Sequence, residues 1–270
     1  MKTAKYEFLV KALSPIHHGG DEKTGSETLL RRMKFLVNGE VMDIPIISGN
    51  AVRGYLRRLL MEDFVYQIGY LEIHNYFLYH SLFSGGVLET REASEVGVLN
   101  LELRRKIREF LPPVSLLGFA YKNQVVDGKM KVSHLLPCCE ELTSYLPQAF
   151  LPLTSPSVFE LLDFTFGTRK DEREMEGGEN PVQMKYDYEV FCPGTVFYLR
   201  IDLMDTNEVE ESCFGRMIEL WRERPFIAGR SSAGEGRVEI VGEVPSSELY
   251  LAFLKERKEE IWEVMRELDR

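Results

Sequence analysis

The chain has 270 residues, 44% of them hydrophobic, and carries 33 Lys/Arg against 43 Asp/Glu for a formal net charge of −10. That length and apolar content predict one large domain with a real core, while the acidic balance argues against a simple nucleic-acid binder that is basic all over. No apolar run approaches the roughly 20 residues of a membrane span, and the opening MKTAKYEFLVKALSP alternates like a strand with a lysine inside it, unlike a secretory signal.

An intracellular, cytoplasmic protein is expected. Cys138, Cys139, Cys192 and Cys213 make no disulfide framework for a chain this size. The adjacent Cys138-Cys139 pair, with His134 nearby, lacks the spacing of a zinc site, so neither metal nor cofactor is expected. Residues 1–60 hold ten Lys/Arg and six Asp/Glu. One basic end on an acidic body is compatible with a local phosphate-binding face.

Tyr6 to Leu13 alternates as a first strand, ended by Ser14-Pro15. His17-His18-Gly19-Gly20 then opens a polar loop that lasts to Glu27. A histidine there serves acid–base work or ligand contact; contact is preferred, because no Ser, Cys or second base is identifiable beside the pair. Thr28 to Val37 reads as one strand, Asn38-Gly39 as a two-residue hairpin turn and Glu40 to Ile47 as the returning strand. Arg31 and Arg32 should point to opposite faces, since strand side chains alternate, so at most one faces the same ligand as Arg53.

The stretch IPIISGNAVRGYLRRLL, residues 44–60, predicts a strand end, a tight turn and a helix capped by Ser48 or Asn50. Val52, Leu56, Leu59 and Leu60 form its apolar face, with Arg53 and Arg57 one turn apart beside it. The free first-turn N–H groups and the positive helix end suit an anion. Gly54 costs roughly 1 kcal/mol of helix propensity against Ala, which marks a place where a backbone or ligand comes close.

Residues 50–83 read as mainly helical, with Tyr66, Tyr70, Tyr76, Phe77 and Tyr79 taken as core. A short charged helix over 101–110 is ended by Pro112-Pro113, Val114 to Tyr121 is a buried strand or short helix, and Asp127-Gly128 is a second hairpin turn. The charged segment GTRKDEREMEGGENPVQ, residues 167–183, has no apolar stripe and reads as the tip of a projecting hairpin whose arms are LLDFTF and QMKYDYEVF. Pro193-Gly194 joins two strands, and residues 206–222 form a helix. In PFIAGRSSAGEGRVEI, Gly229, Gly234 and Gly236 punctuate a loop holding Arg230, Ser231, Ser232 and Arg237, which can turn backbone N–H groups toward a phosphate. A last helix starts at Pro245 with Ser246 or Ser247 as cap.

Ile47-Ser48-Gly49-Asn50-Ala51-Val52-Arg53-Gly54-Tyr55-Leu56-Arg57 resembles the signature of the RAMP superfamily of CRISPR systems, commonly Ile-Pro-Gly-Ser-Ser-Leu-Lys-Gly-x-Leu-Arg. It departs at Ser48, where proline is usual, and at Ala51, where serine is usual. The His17-His18-Gly19-Gly20 loop, the strand pair around Pro193-Gly194 and the glycine-rich run near the C-terminus resemble further features of the family's backbone subunits, in the expected order. Residues 61–183 carry no matching motif.

The resemblance implies an α+β protein with a ferredoxin-like, RRM-type antiparallel sheet and helices on one face. It would be one domain with an insertion over 61–149, a thumb-like hairpin over 150–188 and the C-terminal helix over 245–270. It implies a backbone subunit of a CRISPR effector: copies line up along a guide RNA with other subunits, hold its phosphates and present its bases to a target DNA or RNA. The residues implied in RNA binding are His17, His18, Arg31, Arg32, Ser48, Asn50, Arg53, Arg57, Arg169, Lys170, Gly229, Arg230, Ser231 and Ser232. In the type III branch an aspartate in the loop after strand one cuts target RNA. Here Ser26 or Glu27 stands at that place and Asp21 falls several residues early, which favours a non-cleaving scaffold closer to the DNA-targeting or type IV branches. Asp21, Glu22 and Glu27 read as solvated acids. The alternatives are a RAMP-type endoribonuclease, either processing guide RNA with His17 or His18 as general acid/base or cutting the target, and a phosphate-ligand enzyme built on the 48–54 turn.

Overall fold

The computed structural model describes residues 3–24, 27–86, 100–121, 124–170 and 183–270. Strand β1 (Thr3–Ala12) alternates as its sequence requires, with Phe8, Val10 and Ala12 buried and Lys5 and Lys11 exposed. The chain continues through β2 (Gly19–Thr24), β3 (Glu27–Leu30), β4 (Arg32–Val37) and β5 (Glu40–Pro45). The single strand expected over 28–37 is broken at Arg31. Its N–H donates to the His18 carbonyl at 2.8 Å and its carbonyl accepts from Ile46 N–H at 2.9 Å, so β3 pairs with β2 while β4 pairs with β5. The β4–β5 turn is at Asn38-Gly39 as expected, with φ of 50° and 89°, the conformation of a type I′ turn.

Helix α1 (Gly49–Ile68) stops at Gly69 in the left-handed conformation, and α2 (Tyr76–Ser84) follows. The stretch expected to be helical over 50–83 is therefore two helices. Of the aromatics expected in the core, Tyr70 is buried, but Tyr66, Tyr76, Phe77 and Tyr79 are at least half exposed. The nine residues of α2 bury one face, through Leu78, Ser81 and Leu82, and carry apolar rings on the others. After α3 (Leu101–Phe110), Pro112-Pro113 do not simply end a helix. They open α4 (Pro112–Leu117), in whose first turn no backbone N–H is needed. β6 (Phe119–Tyr121) pairs with β7 (Gln124–Val126), but β8 (Met130–Val132) joins another sheet. Asp127-Gly128 is thus a link between sheets and not a hairpin turn. Gly128 sits so close to Leu117 that a Cβ there would meet its carbonyl oxygen at 2.7 Å.

Next come β9 (Leu136–Pro137), three short 3-10 turns, β10 (Leu162–Lys170), β11 (Gln183–Phe191) and β12 (Val196–Met204). The chain ends with α5 (Glu208–Glu223), β13 (Val238–Val241), α6 (Glu248–Glu256) and α7 (Lys258–Leu268). The single C-terminal helix expected is thus two, interrupted at Arg257. Ser246 supplies the hydroxyl that accepts from Glu248 N–H at 3.3 Å. A capping box of Asn207 and Glu210 starts α5.

The main sheet has the order β13-β1-β12-β8 with every neighbour antiparallel. Read along the chain as β1-α1-β8-β12-α5-β13, this is the ferredoxin-like βαββαβ arrangement, and the expected α+β core is present. Phe8, Val10, Phe197, Leu199 and Ile201 pack with Val52, Leu56, Phe214 and Met217 on the helix face. On the other face Glu7 pairs with Lys5, and Arg200 with Asp202. Tyr198 lies buried under Phe150, ring centroids 4.9 Å apart, and its hydroxyl donates to Glu7. The sheet face on which RRM proteins stack bases here carries ion pairs and the chain's own rings.

β10 and β11 form a long antiparallel hairpin from Leu162↔Phe191 to Lys170↔Gln183; the expected arms pair, but Gly167 to Lys170 and Gln183, expected in the tip, belong to the strands. Its base joins β3 through the parallel pair Tyr188↔Thr28. The tip at 171–182 lies outside the described residues, as do the side chains of Asp21, Glu22, Arg169 and Lys170 and the whole of Ser26.

Candidate functional site

Separate stretches of sequence meet in a row beside the start of α1. Arg31 links the loop after β1 to β5 through the His18 and Ile46 backbone bonds described above. Ile47 and Leu135 then exchange backbone hydrogen bonds of 2.9 and 3.4 Å, and Gly49 N–H donates to Nδ1 of His134 at 3.0 Å. Gly49 has to be glycine, since a Cβ would stand 2.6 Å from the Ser133 carbonyl. Ser48 caps α1 by accepting from Ala51 N–H at 3.2 Å, leaving Asn50 exposed on the first turn. The N–H groups of Gly49 and Ala51, which the sequence offers to an anion, are thus already engaged by His134 and Ser48.

Arg31 is exposed, and among the described residues its guanidinium has no hydrogen-bond or ion-pair partner. Its charge opposes the protonation of two histidines. Burial first, and then the charge of Arg31, push down the pKa of both His18 and His134, with His17 adding to the effect on His18. Nε2 of His18 is buried with no partner among the described residues. A cleft of about 410 Å³ lined by Gly20, Arg31, Arg32, Lys34 and Asp43 opens beside this row.

Arg32, unlike Arg31, is engaged: it donates to Oε1 of Glu189 at 2.7 Å, while Leu30 N–H donates to Oε2 at 2.9 Å. The Glu189 carbonyl accepts from Nδ1–H of His17 at 2.7 Å; a carbonyl cannot donate, so this bond fixes the proton on Nδ1. The His17 ring stands edge-on to Tyr188 at 5.1 Å. Arg230, in the left-handed conformation at φ 64°, lays its guanidinium 3.7 Å from the Tyr188 ring centroid and donates to the Tyr186 hydroxyl at 2.8 Å. Glu235 accepts from the Tyr188 hydroxyl and lies 3.8 Å from Arg230. The glycine-rich loop is docked on the histidine loop as well, through Gly236 N–H to the Pro15 carbonyl at 2.8 Å and Gly229 N–H to His17 at 3.4 Å. Gly234 and Gly236 take positive φ, joined by Ala228 and Arg230; Gly229 is exposed, as are Ser231 and Ser232.

Arg53 and Arg57 lie along a second cleft, of about 540 Å³, with Asn50, Gly54, Gly85, Gly118, Gly128 and Lys131. Arg57 is only 5% exposed. Its guanidinium donates to the carbonyls of Leu82 at 3.3 Å and Leu117 at 2.9 Å, so it satisfies the C-terminal turns of α2 and α4. Burial, with Arg53 adding to it, lowers its pKa to about 10, which still leaves it charged at neutral pH. Arg53 is half-buried, also donates to the Leu117 carbonyl, and keeps a buried Nε with no partner among the described residues. Gly54 meets no neighbouring backbone: a Cβ would touch only the tip of Arg58 at 3.9 Å, so the missing side chain widens this cleft.

The structure therefore brings His17, Arg32, Gly229 and Arg230 together at the hairpin base, His18, Arg31 and Ser48 along the neighbouring row, and Asn50, Arg53 and Arg57 along the second cleft. Sequence reasoning left out Tyr186, Tyr188, Glu189, Glu235 and His134. For Tyr186, Tyr188 and Glu189 the visible signal was the Tyr-x-Tyr-Glu alternation in β11, which does not say which loop the strand meets; His134 stood out only beside the Cys138-Cys139 pair, and Glu235 not at all. Burial pushes the Cys138 and Cys139 thiols up to about 12, which makes them inert at neutral pH. Among the described residues no three His, Cys, Asp or Glu side chains group to hold a metal ion, and no helix is long and apolar enough to cross a membrane.

No protein-family model matches the chain, and no curated protein matches it. Among solved structures, a chain of one entitled "Type IV-B CRISPR Complex" aligns with a TM-score of 0.60 and 22% identity, over 89% of this chain and 90% of that chain. The two chains share a fold. The ferredoxin-like core and its insertions thus lie within an architecture found in a CRISPR complex.

Proposed function

We propose that this chain is a non-catalytic backbone subunit of a CRISPR effector complex. It holds guide-RNA phosphates, lines up with further copies and other subunits along that RNA, and leaves the bases to pair with target DNA or RNA. The observation that carries this reading is convergence. The histidine loop, the tyrosine strand β11 and the glycine-rich loop, each part of the RAMP resemblance, meet at the base of one projecting hairpin. Arg31 connects that place to the turn into α1. The likeness over nine-tenths of both chains to a chain of the type IV-B complex supports the same reading.

The scaffold reading is favoured over a nuclease because, in the resemblance, Ser26 or Glu27 stands where the type III branch has its cleaving aspartate, and because Nε2 of His18 is buried. In this reading Arg31, Arg53, Asn50 and Lys131 meet phosphate, Arg230 and Ser231-Ser232 present the glycine-rich loop, and Arg169 and Lys170 act on the hairpin. The test is filter binding of single-stranded RNAs of unrelated sequence at several salt concentrations. Arg31→Ala and Arg53→Ala should each weaken binding to all sequences alike and flatten the salt slope by roughly 0.7. Unchanged affinity and slope in both folded variants would refute this assignment.

A further inference from the structure

His134 is the one ring in the row beside α1 that no sequence motif singles out. Gly49 N–H donates to its Nδ1 at 3.0 Å. A backbone N–H only donates, so Nδ1 is the bare, accepting nitrogen, and the neutral ring carries its proton on Nε2. That Nε2–H has no hydrogen-bond partner among the described residues and is not a buried orphan. The fold has thus set one tautomer and left its donor available. Arg31, whose carbonyl accepts from Ile46 N–H at 2.9 Å, is held to the same Ile46–Gly49 segment that His134 caps; its guanidinium has no partner among the described residues, and its charge opposes a second proton on the ring. The neighbouring Ile47–Leu135 backbone pair holds the ring's chain segment against the turn.

We infer that His134 and Arg31 form a two-part clamp for one backbone phosphate of single-stranded RNA, the arginine supplying charge and the neutral Nε2–H a directed hydrogen bond. This rests on the proposed RNA-binding function and adds a residue and a chemical role to it. A neutral donor makes a specific forecast: it contributes affinity without releasing counterions, so its removal lowers affinity and leaves the salt slope alone. Arg31 contributes to both.

Two variants separate contact from support. In His134→Asn the side-chain oxygen takes the place of Nδ1, which keeps the acceptor for Gly49 and removes the distal donor. In His134→Gln the amide N–H₂ takes the place of Nε2, which keeps the donor and weakens the acceptor. With the full chain and a labelled single-stranded RNA, His134→Asn should unfold near the wild-type temperature yet bind about tenfold more weakly, with an unchanged salt slope. His134→Gln should unfold earlier and bind nearly as the wild type does. In protein labelled with ¹⁵N-histidine, the Nε2–H tautomer should be present at neutral pH and its resonance should move on adding RNA. RNA binding by the wild type with equal affinity in His134→Asn would overturn the clamp and leave the RNA-binding function standing. No RNA binding by the wild type would overturn both.

Discussion

Glu189 holds Arg32 at 2.7 Å with one carboxylate oxygen and the Leu30 N–H at 2.9 Å with the other, while being only 4% exposed. This pair fixes the base of the β10–β11 hairpin to β3, and the backbone carbonyl of the same residue holds His17. Removing the carboxylate strands a half-buried guanidinium and a buried N–H together. Glu189→Ala should lower stability by about 2–4 kcal/mol in urea unfolding. A loss below about 0.5 kcal/mol would mean that the hairpin base is held by β-pairing alone.

Arg57 and Arg53 differ in what they support. Arg57→Ala leaves the Leu82 carbonyl without its donor and takes one from Leu117, so about 3 kcal/mol of stability should be lost. Lysine cannot span both carbonyls as the guanidinium fork does, so Arg57→Lys should recover less than half. Arg53→Ala should cost about 1 kcal/mol and act mainly on RNA affinity. Thermal unfolding and RNA titration of the three variants check this division.

Stability should fall on acidification. His18 and His134 have folded pKa values below the ordinary imidazole value of 6.5, so the unfolded chain takes up protons more readily. Their contribution is complete above about pH 6.5 and is lost as the pH drops through the lower folded values. Protonating His134 on Nδ1 also breaks the bond from Gly49 that starts α1. The unfolding temperature of the wild type should therefore decline below pH 6.5, and His134→Asn should decline less steeply. Parallel curves would remove His134 from this account.

The charged hairpin tip is predicted to work between subunits. Residues 171–182 include Arg173 among five acidic side chains and have a single methionine as their large apolar residue before Val182, too little to bury against a core. Replacing 171–182 with a short Gly-Ser linker should change monomer stability by less than about 1 kcal/mol, because the β10–β11 base and its β3 contact remain. It should impair assembly of copies on long RNA. Native mass measurements with and without RNA separate these effects.

Much of the core was legible from sequence because its signals are local. The alternation of β1, the Asn38-Gly39 turn and the Ser48 cap each depend on neighbours in the chain. Arg31 was not legible as a strand break, since the bonds that bend it come from His18 and Ile46. Asp127-Gly128 has the chemistry of a hairpin turn, but its flanking strands find partners in different sheets. The role of Arg57 was hidden for a similar reason: Leu82 and Leu117, whose carbonyls it satisfies, lie 25 and 60 residues further along the chain. Tyr186, Tyr188 and Glu189 were visible as a pattern, yet their partners Arg230, Glu235, His17 and Arg32 are set only by tertiary packing.

The central claim is that copies of this chain array themselves along guide RNA. Native mass spectrometry of the purified chain mixed with single-stranded RNAs of increasing length tests it most directly. The account predicts complexes in which the number of bound chains rises in regular steps with RNA length. A single chain per RNA at every length, or no complex at any length, would contradict it.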